Sequence, residues 1–242
     1  MDPWVQGGPR VFGSWILGTL VLRFTQKRNV PTGVKRKHKF LENTSCVFQF
    51  MVVALVPIGP SSGIITTTKA VRSPADMASL RMRALDDAQI AMYKAWGSSG
   101  TIVPWGEVPA ALQTGVIDGY LNSPFVPVMF GQTDFVRNFS DAGVIIPMRA
   151  IIFSKAWYDG LSGTDRAAVD AAVVTADAAN RAWLANASVS GLTALEEKGV
   201  TVQRLTAKER AVFREASKPV YDSGLMPAAD VKIWTDLADS NR

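Results

Sequence analysis

Residues 80–121, LRMRALDDAQIAMYKAWGSSGTIVPWGEVPAALQTGVIDGYL, alternate strand and helix signals at a spacing that decides the fold class. Leu80 to Ala84 is a short strand carrying Arg81 and Arg83, and Asp87 to Trp96 reads as a helix. Gly97 to Gly100 is a turn and Thr101 to Val103 a second strand. Gly106 to Thr114 puts Val108, Ala111 and Leu112 on one helical face, with Gly115 as its stop, and Val116 to Leu121 follows as a third strand. Strand, helix, strand, helix, strand in this order predicts an α/β layer with largely parallel pairing and right-handed crossovers.

Outward from this stretch the pattern continues in both directions. Ile64 to Thr68 is β-rich, and Ser73-Pro74 offers an N-cap followed by proline at the first helical position. Further strands are expected at Gly143 to Ile146 and Arg149 to Phe153. Ser162 and Asp165 form a start resembling a capping box, and Val169, Ala172, Val173, Ala176, Trp183 and Leu184 mark an apolar stripe that Gly199 closes. A helix over 163–198 would be roughly 54 Å long, more than one small domain is wide. It is therefore expected to brace two lobes, or to bend or break near Ser188 to Gly191. Val200 to Leu205 and helices near Ala207 to Ser217 and Ala228 to Asp239 complete the chain.

Charge and composition narrow the function. The net charge of +5 is unevenly placed: residues 1–50 carry eight Lys/Arg against Asp2 and Glu42, whereas the remainder carries 18 basic and 19 acidic residues. The main body is thus near neutral, and a nucleic-acid partner is not expected. One cysteine, Cys46, and one histidine, His38, leave no internal disulfide and no Cys/His metal cluster, so no cofactor or metal is expected. No GxSxG, GxxxxGK[ST] or GxGxxG occurs. The neighbouring Asp86 and Asp87 would point to opposite sides of a strand, or lie well apart around a helix, which is poor geometry for paired acid and base work. The apolar run Val11 to Leu22 is too short to span a bilayer and has the wrong flanks for a secretion signal. A second signal candidate, Lys35 to Lys39 followed by Val47 to Ile58, begins far inside the chain, and a buried strand around Val52 to Val56 is the commoner meaning of such a run.

In α/β layers ligands bind beyond the carboxyl ends of the strands. Arg83 stands at the end of its strand, on the same face as Arg81, and Asn122 stands at the end of the Val116 to Leu121 strand. An arginine on a rigid element presents a planar fork that matches a carboxylate, and an asparagine can add a donor or acceptor. Pattern alone leaves Arg83 open to a second meaning, a surface or salt-bridged strand-end arginine.

The ordered run Arg72-Ser73-Pro74-Ala75-Asp76-Met77, Leu80-Arg81-Met82-Arg83, Pro104-Trp105-Gly106-Glu107-Val108, Ala111 to Gly115 and Val116-Ile117-Asp118-Gly119 resembles the solute-binding proteins of TRAP transporters. Trp157 to Ser162 and the long helix extend the likeness. The resemblance implies a periplasmic-binding-protein-like α/β architecture of two lobes with a long bracing helix, no enzymatic activity, a periplasmic location, a small organic acid ligand and the membrane permease of a TRAP transporter as partner. It implies that Arg83 clamps the substrate carboxylate, that Asn122 joins it, and that Trp105 lines the pocket or packs in the core, with Tyr120 and Arg149 near the pocket edges. Glu107 is expected to cap or contact a lobe, and Gln113 and Asp118 to be structural. The implied division is an atypical segment 1–50, a ligand-binding lobe two over 60–147, and the remainder of lobe one with the long and C-terminal helices over 148–242. Two departures accompany it. Gly63 stands where some members place a second arginine, and nothing in residues 1–50 resembles the usual opening of lobe one, which is expected to be incomplete. The alternatives are a truncated, non-binding remnant of such a protein, an enzyme acting on a small organic acid, and a membrane-tethered module held by residues 11–58.

Overall fold

The computed structural model describes residues 50–240; the expectations for the atypical N-terminal segment, with Val11 to Leu22, His38 and Cys46, lie outside them. Eight strands and eight α-helices follow in chain order among these residues. The strands are β1 (Phe50–Pro57), β2 (Ser62–Thr66), β3 (Arg81–Ala84), β4 (Ser99–Ile102), β5 (Gly119–Asn122), β6 (Asn138–Ile145), β7 (Met148–Ser154) and β8 (Thr201–Arg204). The helices are α1 (Asp87–Ala95), α2 (Val108–Gln113), α3 (Val126–Met129), α4 (Lys155–Asp159), α5 (Gly163–Glu197), α6 (Ala207–Ala216), α7 (Lys218–Tyr221) and α8 (Ala228–Ser240).

The larger sheet has the order β4-β3-β5-β2-β6-β8. Pairings β3/β4, β3/β5 and β6/β8 are parallel, while β2 runs antiparallel to both β5 and β6. The expected parallel layer therefore holds with one reversed strand at its centre. β2 is apolar on both faces because it is covered on both: Ile64 enters one core cluster with Met82, Trp96, Leu121 and Phe213, and Ile65 enters the other with Val108, Tyr120, Phe139 and Leu195. Gly119 is required where β5 meets β2, since a Cβ there would fall 2.1 Å from the Ile65 carbonyl oxygen.

Local signals explain several boundaries. Asp86 caps α1 by accepting from the Gln89 N–H at 2.9 Å, and Ser162 caps α5 by accepting from the Asp165 N–H at 3.1 Å. Ser73-Pro74 opens only a four-residue 3-10 turn, Pro74–Met77, and the Asp76 carboxylate accepts from the Arg72 and Ser73 N–H groups. The expected helix from Gly106 is a 3-10 turn, Trp105–Glu107, running into the shorter α2.

Residues 201–221, which the sequence division assigns to the part beginning at 148, join the larger sheet's unit. β8 is its edge strand, α7 packs on α1, and the Trp96 indole N–H donates to the Ser217 hydroxyl at 2.8 Å. The second sheet is a ribbon of β1 and β7, antiparallel with an irregularity between Val52 and Ala54. The strand expected around Val52 to Val56 exists, but those residues are half-exposed rather than buried, because the described residues supply only one partner strand and α5.

α5 is one continuous helix of 35 residues with no break at Ser188 to Gly191. Gly191 marks a contact instead: a Cβ there would lie 3.1 Å from Pro124 Cγ and 3.2 Å from the Phe125 backbone nitrogen. Eleven residues earlier the Asn180 side-chain amide donates to the Pro57 carbonyl at 2.6 Å, so α5 touches both the ribbon and the larger sheet's unit. The N-terminal half of its apolar stripe is only partly covered, and Val174, Trp183 and Val189 are exposed.

Candidate functional site

β3 carries two arginines two residues apart with opposite fates. Arg81, at the start of the strand, is exposed and holds Asp118 through Nη2 to Oδ1 at 2.6 Å and Nε to Oδ2 at 2.9 Å, and its backbone N–H also donates to Asp118 Oδ2. That hydrogen-bonded guanidinium is the largest influence on the Asp118 carboxyl and holds it below its ordinary pKa. Asp118 and Arg81 are thus a structural pair fixing the approach to β5.

Arg83 is only 7% exposed, yet no acidic side chain among the described residues pairs with it. Its Nε donates to the Val103 carbonyl at 2.9 Å, just beyond β4, and its guanidinium carbon sits 5.7 Å from the centre of the Trp105 ring. Burial lowers the Arg83 pKa from its ordinary value. Tyr120 is its register partner on β5, and the Tyr93 hydroxyl donates to the Arg83 carbonyl at 3.1 Å. Both tyrosines are buried, and burial pushes their pKa values up.

The sheet register brings the other candidates to the same end of the strands. Asn122 ends β5 two residues beyond Tyr120, hence on the same face, and its Oδ1 accepts from the Ser123 N–H at 2.9 Å. Trp105 is half-buried and meets Tyr120 edge-on at 5.7 Å. Arg149 is different: it is exposed on β7 of the ribbon, opposite Val56, in another sheet. Glu107 and Gln113 are exposed around α2. Gly63 has no room for any side chain, because a Cβ would lie 2.4 Å from both the Phe139 ring and the Ser140 carbonyl oxygen.

Two neighbours of the site escape the sequence reading. Gln132 is buried and accepts a short hydrogen bond from the Tyr120 hydroxyl, while its Nε2 has no partner among the described residues. Phe130 meets Trp105 edge-on at 5.2 Å. Both flank α3, a single turn too short to show any periodicity. An open groove of about 640 Å³ runs along α5, lined by residues including Asn186, Val189, Ser190 and Glu197, and does not include Arg83. Among the described residues there is no group of three or more His, Cys, Asp or Glu side chains able to hold a metal, and no helix long and apolar enough to cross a membrane.

Comparisons with known proteins bear on the family and the fold. Residues 60–225 match the family described as bacterial extracellular solute-binding protein, family 7. The ectoine-binding periplasmic protein TeaA of Halomonas elongata is 30% identical over 169 residues, covering 66% of this chain and 48% of the relative. The ectoine/5-hydroxyectoine-binding periplasmic protein UehA of Ruegeria pomeroyi is 31% identical over 175 residues, covering 69% of this chain and 50% of the relative. The chain thus spans about half the length of these curated relatives. A TRAP periplasmic solute-binding protein from Chromohalobacter salexigens, solved with bound D-glucuronate, shares the fold with a TM-score of 0.71 at 23% identity, covering 79% of this chain and 63% of that one. These relatives are binding proteins rather than enzymes.

Proposed function

Because the chain belongs to family 7 of the bacterial extracellular solute-binding proteins, we propose that it takes part in binding a small organic carboxylate, outside the cytoplasm, for delivery to a TRAP-type membrane permease. One observation carries this reading: Arg83 is almost fully buried, is a cation, and has no counter-ion among the described residues. A buried charge is costly unless it is paired, so its natural partner is an anion brought by the ligand. With Nε held by Val103 and the guanidinium stacked near Trp105, the fork is fixed before the ligand arrives. Its terminal nitrogens then grip a carboxylate bidentately, with Asn122 as the adjoining polar contact. Closure of a second lobe over the ligand would exclude water. Two unit charges 4 Å apart attract by about 1 kcal/mol in water and about 4 kcal/mol at an effective dielectric of about 20. The ligand is held and released with no bond made or broken. Its chemical kinship to ectoine or glucuronate, the ligands named for the relatives, is part of the proposal.

A thermal-shift panel of organic acids tests this. A ligand at 100 times its dissociation constant stabilises by about 2.7 kcal/mol, a rise of about 5–10 °C for a chain of this size. Arg83→Ala should abolish the rise. A second reading, in which residues 50–240 fold but hold no ligand by themselves, is favoured by the partly uncovered stripe of α5 with Val174, Trp183 and Val189 exposed. A flat panel from a cooperatively unfolding protein would support that reading and sink the first.

A further inference from the structure

We propose that Phe130 is a specificity-determining residue and that the site takes a carboxylate borne on a flat ring in preference to an acyclic acid; this rests on Arg83 as the carboxylate anchor. Three rings in contact lead from the core to solvent beside the Arg83 head. Tyr120 is fully buried, Trp105 is half-buried with its ring 5.7 Å from Tyr120 and 5.7 Å from the Arg83 guanidinium carbon, and Phe130 is 50% exposed with its ring 5.2 Å from Trp105. Met129 beside it is 64% exposed.

The outermost ring is held in place rather than carried on a loose loop. The Phe130 N–H donates to the Val126 carbonyl at 3.0 Å, and Val126 and Pro127 are buried. Gly131 follows with φ +61°, a conformation that lets the chain turn back at once. The Gln132 N–H then donates to the Pro127 carbonyl at 2.8 Å, and the buried Gln132 side chain receives the Tyr120 hydroxyl. Buried anchors on both sides thus keep a large apolar ring at the surface within one aromatic contact of the anion anchor. An exposed ring one aromatic contact away from a positioned cation offers a ligand a stacking surface beyond its charge contact.

The charges nearby point the same way. Among the described residues, Arg81 is held by Asp118 and Gly63 leaves no space for a side chain, so neither position offers a second carboxylate a free cation. A ring attached to the carboxylate finds Trp105 and Phe130.

Calorimetric titration of the whole chain with benzoate, nicotinate, acetate and succinate tests this. The ring acids should bind at least tenfold more tightly than the acyclic ones. Phe130→Ala should remove most of that preference by weakening the ring acids far more than acetate, and Phe130→Tyr should restore it. Phe130→Leu, which keeps apolar bulk and so guards against a folding defect, should also lose it. Equal binding of ring and acyclic acids, or an unchanged preference in both Phe130→Ala and Phe130→Leu, overturns the inference while leaving Arg83 as the anchor. Absence of binding by every acid overturns the anchor reading and this inference together.

Discussion

Replacing Arg83 with methionine separates a binding role from a structural one, because only a structural role makes the ligand-free fold depend strongly on the guanidinium. Methionine keeps much of the side-chain length and apolar stem while deleting the guanidinium. The losses are the hydrogen bond from Nε to the Val103 carbonyl, which leaves that acceptor unsatisfied at a cost of about 1–3 kcal/mol, and the stacking near Trp105, about 0.5–2 kcal/mol. The gain is relief from holding a cation away from water with no opposing charge, worth several kcal/mol per buried ion. These nearly cancel, and the ligand-free variant is expected within about 1 kcal/mol of wild type, a change of about 2–4 °C in melting temperature. Carboxylate binding, by contrast, should disappear. Urea unfolding without ligand and calorimetry with an organic acid measure the two sides separately. A loss of more than about 3 kcal/mol without ligand, with an unchanged urea m-value, would mark Arg83 as a structural residue and refute the reasoning. Retained affinity would refute it from the other side.

Two further perturbations test the frame around the site. Asp118→Asn should lower stability at neutral pH. Because the folded-state carboxyl is held below its ordinary pKa of about 3.9, its contribution is complete above that pH and fades as pH falls through the lowered folded value. Urea midpoints of variant and wild type should therefore differ at pH 7 and converge toward pH 2; an equal gap at both values would show that proton linkage is not the cause. Gly191→Val should destabilise by about 1–3 kcal/mol, since its Cβ would press on Pro124 and Phe125, and a midpoint equal to wild type would show that α5 and the loop are free to separate.

Several elements were legible because they carry their own signal: a cap at Ser162, a stop at Gly115, and β-rich runs of four or five residues, whereas the cap at Asp86 was not read. The reversal of β2 was not, since pairing direction is fixed by distant strands and leaves no local trace. The same holds for β8 and α6, whose place beside β6 depends on contacts such as the Arg210 guanidinium with Asp141 at 2.8 Å. Gly191 reads locally as a weak point in a helix, and only the presence of Pro124 explains it as a contact. At the site, the strand-end positions of Arg83 and Asn122 follow from alternation. What alternation does not show is that Asp118 serves Arg81 and so leaves Arg83 unpaired, or that a single turn at 126–129 delivers Phe130 and Gln132 to Trp105 and Tyr120.

The continuity of α5 has a structural consequence. Asn180 grips the last residue of β1 through its carbonyl, and Gly191 seats against Pro124, two residues beyond Asn122. The eleven-residue step between them spans about 16 Å of uninterrupted helix, about three turns. One continuous helix therefore holds the end of the ribbon at Pro57 and lies against the strand-end loop at Pro124, which ties the position of Asn122 to both.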